Sequence, residues 1–356
     1  MAYFDHPDFD DHEHVSYFSD PDSGLRAIIA VHNTVLGPAG GGCRMWSYAS
    51  DEEALRDALR LSRAMTYKIA LAGLPGGGGK TVIIGDSSKD KTESLLLAIG
   101  RAVQRLGGRY IIAEDVGTTP ADMEVIARET DFVVGRPGES GDTSPATGLG
   151  VFLGIETAAK RKLGIDSLEG LRVAVQGAGN VATYLCQHLH AAGVRITATD
   201  TNEAAATRIA DRFGATIVAP DAIYDEECEV FAPCALGAVL NDDTIPRLRC
   251  AVVAGGANNQ LAEDRHADAL EERDILYAPD YVVNAGGIIN AYREAIRLSR
   301  ADIGGYDEAW AMQQVGRIAE TLAGVFEMAE RESITPDRAA EKKVQAILAE
   351  ARARST

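Results

Sequence analysis

Cations are scarce in this chain: 35 lysines and arginines stand against 53 aspartates and glutamates, a formal net charge of −18. A surface this acidic repels phosphate backbones and anionic lipid, so neither nucleic acid nor a membrane surface is expected as a partner. The acids are spread along the whole chain, which makes solubility their plain explanation. Long apolar runs are missing too. None reaches the roughly 18 residues that a membrane span needs. The first eleven residues, Met1 to Asp11, are acidic and lack the apolar stretch of a secretory signal. Cysteine is sparse: Cys43, Cys186, Cys228, Cys234 and Cys250 form no Cys-x-x-Cys pair and read as reduced thiols of a cytoplasmic protein. No cluster has metal-ligand spacing. His6, His12 and His14 lie among acids near the start, and a solvated acidic terminus is expected there, with no metal. Internal repeats and low-complexity segments are absent.

Glycine is abundant, with 36 residues, and its placement organises the chain. In the stretch Met65 to Lys80, two lysines, Lys68 and Lys80, flank four consecutive glycines, Gly76 to Gly79. Such a run is costly in a regular element, because glycine loses the most backbone entropy on ordering. It is expected as a turn where the backbone approaches a ligand. Lys68 closes an amphipathic helix that opens at Ser50 with a capping box to Glu53 and carries Leu55, Ala58 and Leu59 on one side. Lys80 opens the apolar strand Thr81 to Ile84. A lysine at a glycine-lined strand edge is partly desolvated, which lowers its pKa and makes it a usable base. A phosphate loop or a surface turn with solvated lysines competes with this reading. Gly79-Lys80-Thr81 matches the end of the P-loop pattern, but Leu74 stands where its first glycine belongs. A helix also precedes the glycines and a strand follows them, the reverse of P-loop order.

Leu25 to Val31 reads as a strand, followed by Gly40 to Gly42, either backbone close to a ligand or a flexible hairpin. A helix over 91–106 and a strand over 109–114 come next, the strand running into Glu114-Asp115. A carboxylate at the C-terminal end of such a strand points at a ligand crevice. An ordinary cap for a helix starting near Pro120 is the competing reading. Gly135 to Pro145 is rich in turn formers and reads as a linker into a helix from about Ala146 to Lys160. Leu171 to Gln176 is a buried strand pattern, followed by Gly177-x-Gly-x-x-Ala182, a helix to about Ala192, a strand Arg195 to Thr199, and Asp200. That is the order of a Rossmann dinucleotide unit, with the acid 23 residues after the first glycine. His188 and His190 lie two apart on this helix and share no face. Val230 to Ala232, Ala251 to Ala254 and Ile275 to Tyr277 extend the same sheet, each ending in a loop of small residues. Two amphipathic helices close the chain, one through Val315, Leu322 and Phe326, the last starting at Thr335-Pro336.

The blocks around Lys68 and Lys80, Ala113 to Thr118, Gly177 to Ala182, Gly256 to Gln260 and Ala278 to Gly287 resemble, in this order, the glutamate, leucine, phenylalanine and valine dehydrogenase superfamily, closest to its leucine/phenylalanine branch. The resemblance implies a two-domain α/β protein with a cleft between the domains. It implies a substrate domain over 1–145, completed by a C-terminal helix of about 330–356, and a Rossmann NAD-binding domain over 146–329. The implied activity is NAD-dependent, reversible oxidative deamination of an apolar L-amino acid to its 2-oxo acid and ammonia, by a cytoplasmic homo-oligomer. By the family pattern Lys68 and Asn258 hold the substrate carboxylate, Lys80 activates water, and Asp115 relays protons. The neighbouring lysine supplies a reason for one of the pair to be neutral, since like charges raise the cost of the second proton. Gly177, Gly179 and Ala182, with Ala178, Asn180 and Val181, cradle the pyrophosphate, and Asp200 and Thr201 meet the ribose. Thr147, Cys234, Ala235, Ala257, Asn258 and Asn284 complete the implied cofactor site. The substrate side chain is implied to lie among Gly40, Gly41, Met65, Ala113, Ile288 and Ala291, with no charge among them. Gly40 and Ala291 are smaller than leucine dehydrogenases tend to carry, which predicts an aromatic preference with branched aliphatic acids next. The competing reading leaves Gly40 in a tight turn with Met65 filling the space. A glutamate dehydrogenase would need a cation for the substrate's side-chain carboxylate; by the family pattern it tends to be a lysine in the stretch that here reads Ala39 to Cys43, and that stretch carries none. An inactive nucleotide-binding regulator is disfavoured by the intact Lys68, Lys80 and Asp115.

Overall fold

The computed structural model describes residues 3–299 and 306–355. The chain forms two compact units. The first comprises Met1–Asp142, Ala291–Glu308 and Val344–Thr356, the second Thr143–Asn290 and Ala309–Lys343. This differs from the expected division: residues 291–308 go with the first unit, and the last helix divides after Lys343. The reason is local. Glu294 accepts the backbone N–H groups of Gly135 (2.9 Å) and Ser140, and Gln345 Nε2 donates to the hydroxyl of Tyr67 at 3.5 Å.

The first unit is built on a five-stranded sheet of β1 (His14–Asp20), β2 (Leu25–Asn33), β3 (Ala39–Trp46), β4 (Gly77–Ile84) and β5 (Tyr110–Glu114), in the order β1-β2-β4-β3-β5. β2 runs antiparallel to β1 and β4, whereas β3 pairs parallel with β4 and β5. Three helices cover it: α1 (Asp51–Leu71), α2 (Glu93–Gln104) and α3 (Pro120–Ile126). Residues alternate across each strand. Met45, Ile83 and Ile112 therefore pack with Ile99 of α2 and Met123 of α3, while Ile28, Ala30 and Val82 pack on Ala54 and Ala58 of α1. The N-cap of α1 is Ser50, which accepts from the Glu53 N–H at 3.1 Å, but the Glu53 carboxylate accepts from Ala49, one residue before a true capping box.

Two expectations are corrected here. Gly77 to Gly79 are strand and not turn, and β4 is the central strand of its sheet. Nor is the N-terminal segment simply solvated, because His6 and His12 are buried. The His12 ring nitrogen Nε2 lies 3.1 Å from both Leu59 O and Ser62 Oγ of α1, and burial pushes its pKa down to about 4. Among the described residues no group of three or more His, Cys, Asp or Glu could hold a metal ion, and no helix is long and apolar enough to cross a membrane.

The second unit opens with α4 (Ser144–Leu163) and continues through β6 (Arg172–Gln176), α5 (Asn180–Ala191), β7 (Arg195–Thr199), α6 (Glu203–Phe213), β8 (Thr216–Ile217), β9 (Val230–Pro233), β10 (Val252–Val253), α7 (Arg265–Glu272), β11 (Leu276–Tyr277) and α8 (Asp280–Val283). Then come α9 (Gly286–Ser299), which starts here and ends in the first unit, α10 (Glu308–Gly316), α11 (Ile318–Glu332) and α12 (Pro336–Ser355). Its sheet is parallel throughout, in the order β11-β10-β9-β6-β7-β8. The order reverses between β6 and β9, and ligands bind such sheets outside the strand ends at that point.

Candidate active site

In the first unit the sheet face toward α1 lacks side chains at three positions of its two middle strands, Gly40, Gly42 and Gly78. Gly40, Gly42 and Arg44 alternate onto it from β3, and Gly78, Lys80 and Val82 from β4. A side chain on Gly78 would collide with the backbone nitrogen and hydroxyl of Thr66, and one on Gly79 would lie 2.7 Å from the Tyr110 ring on the opposite face. These glycines therefore admit a helix and a tyrosine of the protein itself, where a ligand was expected. Gly41 likewise points at the backbone oxygen of Gly79. Gly40 differs, since a Cβ there would sit 3.8 Å from Ile69 Cδ1, an ordinary contact. It lies in a strand, so the tight-turn reading falls away.

Lys80 is mid-strand and only 5 % exposed, where a strand edge was expected. Its Nζ donates to Asp115 Oδ2 at 2.7 Å. A Cβ on Gly42 would lie 2.7 Å from Asp115 Cβ and 3.2 Å from Lys80 Nζ, so that glycine makes room for the ion pair. Asp115 does not cap α3, whose N-cap is Thr119 in a reciprocal box with Asp122. Instead its own N–H donates to Thr118 Oγ1 (3.0 Å), which donates to Cys43 O (2.8 Å), fixing the strand end to β3. Burial pushes the Asp115 carboxyl up, but the charges of Lys80 and Arg44 outweigh it and hold the group well below the usual carboxylate range. Arg44 Nε donates to the same Oδ2 at 3.1 Å, and Nη1 donates to Asp57 of α1 at 3.0 Å. The Arg44 charge is thus engaged by two carboxylates. Lys68 lies in the last turn of α1, with Met65 one turn before it, and Ala113 pairs across from Gly42 in β5.

In the second unit Gly177 follows β6 at φ +105°, a conformation that side chains rarely adopt. Gly179 is the N-cap of α5, with no side-chain cap and open space where its Cβ would be. An exposed helix N-terminus of this kind presents N–H groups and a partial positive charge to an anion. Ala182 is buried on α5, while Asn180 and Val181 form its first turn. Asp200 follows β7. Its Oδ2 accepts from Ala178 N and its Oδ1 from Asn202 N, both at 2.7 Å, which ties the acid to the glycine turn beside Thr201. Past β9, the Cys234 sulfur accepts from Gly256 N at 3.4 Å, and Ala235 abuts Gly177. Asn284 Nδ2 donates to Asn258 Oδ1 (3.0 Å) and to Gly256 O and Ala257 O (3.3 Å each). Its own Oδ1 is buried without a hydrogen-bond partner among the described residues. Thr147, in the first turn of α4, packs against Gly287. Ile288 and Ala291 lie on α9, Ala291 buried. The glycine cradle, the uncapped helix and the orphaned Asn284 oxygen fit a dinucleotide.

Sequence reasoning missed Asp57, Ile69, the part played by Arg44 and the room that Gly42 makes for the ion pair. The signal was present in the alternation Gly40, Gly42, Arg44, which places all three on one face.

Residues 12–132 match the family model described as Glu/Leu/Phe/Val dehydrogenase, dimerisation domain. Residues 138–206 and 196–342 match that described as Glutamate/Leucine/Phenylalanine/Valine dehydrogenase. The chain is 53 % identical to a leucine dehydrogenase of Thermoactinomyces intermedius over 97 % of this chain and 94 % of that one. It is 44 % identical to a valine dehydrogenase of Streptomyces coelicolor, over 98 % and 95 %. The crystal structure of an L-tryptophan dehydrogenase from Nostoc punctiforme matches with a TM-score of 0.80 at 44 % identity, covering 96 % of this chain and 97 % of that one.

Proposed function

The chain belongs to the Glu/Leu/Phe/Val dehydrogenase family and is an amino-acid dehydrogenase, and on that footing we propose how its own residues run the oxidative deamination of an apolar L-amino acid. The observation that carries the proposal is the ion pair of the buried Lys80 with the half-buried Asp115 at 2.7 Å, in space cleared by Gly42. Lys68 and Asn258 hold the substrate carboxylate. Gly177, Gly179 and the first turn of α5 hold the pyrophosphate, and Asp200 takes the ribose hydroxyls. Bound there, the nicotinamide supplies the acceptor for the hydride that leaves Cα. Lys80 assists attack of water on the resulting iminium carbon of the substrate, and Asp115 carries protons between the amine and the hydroxyl. General acid–base groups of this kind contribute roughly 10²–10⁴-fold.

NAD is the cofactor in this reading. The Asp200 carboxylate suits a ribose diol and repels a 2′-phosphate, and Thr201, Asn202 and Glu203 offer no arginine to accept one. The side-chain site takes a large apolar group. The open position at Gly40, bounded by Ile69, supports a ring. The 53 % identity to a leucine dehydrogenase favours a branched aliphatic chain as the second reading. Both exclude charged side chains, whose burial unpaired costs several kcal/mol. The partners are small molecules. The description of the model over residues 12–132 as a dimerisation domain supports a homo-oligomer, and the reduced cysteines support a cytoplasmic setting.

Initial rates of NADH and NADPH formation against phenylalanine, tryptophan, leucine, valine and glutamate test the reading. Turnover of apolar acids with NAD is expected. Equal kcat/KM for the two cofactors removes the Asp200 assignment, and a preference for glutamate removes the substrate class.

A further inference from the structure

The Lys80–Asp115 pair has a third member. Arg44 lies two residues beyond Gly42 on β3 and so reaches the same face. Its guanidinium forks. Nε donates to Asp115 Oδ2 at 3.1 Å, the oxygen that Lys80 also holds, and Nη1 donates to Asp57 Oδ2 at 3.0 Å. Asp57 is further fixed by the Tyr48 hydroxyl at 2.5 Å. Arg44 and Asp57 side chains are 20 % and 23 % exposed, so the chain of bonds is well shielded. The two cations on Asp115 are not equivalent. A lysine can shed its proton, whereas a guanidinium stays charged at any working pH and is rigid and planar.

We propose that Arg44 is a positioning residue: anchored on Asp57, it keeps the Asp115 carboxylate seated and supplied with one permanent positive partner while Lys80 turns to water and substrate. This rests on the roles given above to Lys80 and Asp115. If Lys80 were the only partner of Asp115, each engagement of Lys80 with a reacting molecule would release the carboxylate. With Arg44 in place, Oδ2 stays held. Lysine at position 44 would keep a charge but could not span Asp57 and Asp115 with a planar fork.

A double-mutant cycle tests this. Asp115→Asn, Arg44→Gln and their combination are compared by kcat, KM for the amino acid, NAD dissociation constant and melting temperature. Misplacing a reacting group by about 1 Å can cost on the order of 10²-fold. Arg44→Gln is therefore expected to lower kcat at least about tenfold, with the NAD dissociation constant within about twofold of wild type. In the Asp115→Asn background the same change is expected to cost less than about twofold, since residues that act as a unit are non-additive. Arg44→Lys is expected to recover part of the loss. Asp57→Asn, which keeps the arginine and frees its anchor, repeats the cycle should Arg44→Gln not fold. Equal factors in both backgrounds, or wild-type kcat in a folded Arg44→Gln, overturn the inference. An Asp115→Asn enzyme with near-normal kcat overturns instead the role given to Asp115, and the two failures are distinct.

Discussion

At the scale of single residues, the site concentrates charge where side chains are otherwise absent. Lys80 on β4 faces Gly42 of β3, where a Cβ would lie 3.2 Å from Nζ, so its ammonium has room to meet the Asp115 carboxylate. Lys80→Ala is expected to lower kcat by roughly 10²–10⁴-fold while binding of the dinucleotide, proposed above for the other unit, stays nearly intact. Retention of more than about a tenth of wild-type kcat would take Lys80 out of the mechanism. Gly40 asks a different question, because its Cβ position is open as far as Ile69. Gly40→Leu is expected to lower kcat/KM for phenylalanine far more than for valine, each methylene of lost room being worth about 1–3 kcal/mol. An equal loss for both would show that position 40 does not shape the pocket. Residues of this kind divide by how far their signal travels in sequence. Asp115 stood out because it follows an apolar strand. His6 and His12 did not read as buried, because what buries His12 is Leu59 and Ser62, 47 and 50 residues away.

At the scale of elements, β4 shows what a glycine run can mean. Four glycines signal close approach, and the sequence does not say whether a ligand or the protein approaches. For Gly78 the neighbour is the backbone of α1 at Thr66, which cannot yield. Gly78→Ala is expected to destabilise the protein by about 1–3 kcal/mol or more, whereas Gly40→Ala is expected to cost less than about 1 kcal/mol. Thermal melts of the two variants compare them directly, and similar melting temperatures would contradict the packing described for α1. The helix α12 carries a pH effect. Asp337 near its start is buried, and burial, with Glu341 and Asp280 adding repulsion, raises its pKa to about 7 despite the bond from the Tyr281 hydroxyl. Unfolded, the group titrates at about 3.9. The folded state therefore binds more protons between those values, and stability falls as pH rises from about 4 to about 7. Asp337→Asn keeps an acceptor for Tyr281 and removes the charge. It is expected to match wild type near pH 4 and to exceed it above pH 7 by up to roughly 4 kcal/mol. Melting temperatures at pH 4, 6 and 8 check this, and a constant offset would rule it out.

At the scale of the whole molecule, the two α/β units were legible because their signals are local. Gly177 to Ala182 and Asp200 sit within one strand–helix–strand unit, and the parallel order of the second sheet follows from it. The chain's crossings between units were not legible in the same way. α12 read as one continuous amphipathic helix and α9 was not read as a helix at all, and each changes allegiance along its length, after Lys343 and after Asn290, which periodicity does not mark. The first unit is therefore assembled from three stretches of chain. That sets an order of events during translation. When a ribosome has released residues 1–142, all five strands of the first sheet exist, but Glu294, which takes the N–H groups of Gly135 and Ser140, and Gln345, which reaches Tyr67, do not. At roughly 5–20 residues per second the nascent sheet waits on the order of 10–40 s for them. A fragment of residues 1–142 is accordingly expected to be cleaved by protease far faster than the same residues in the full chain, with α1 and the segment after Val134 cut first. The first domain to leave the ribosome is the last to be finished.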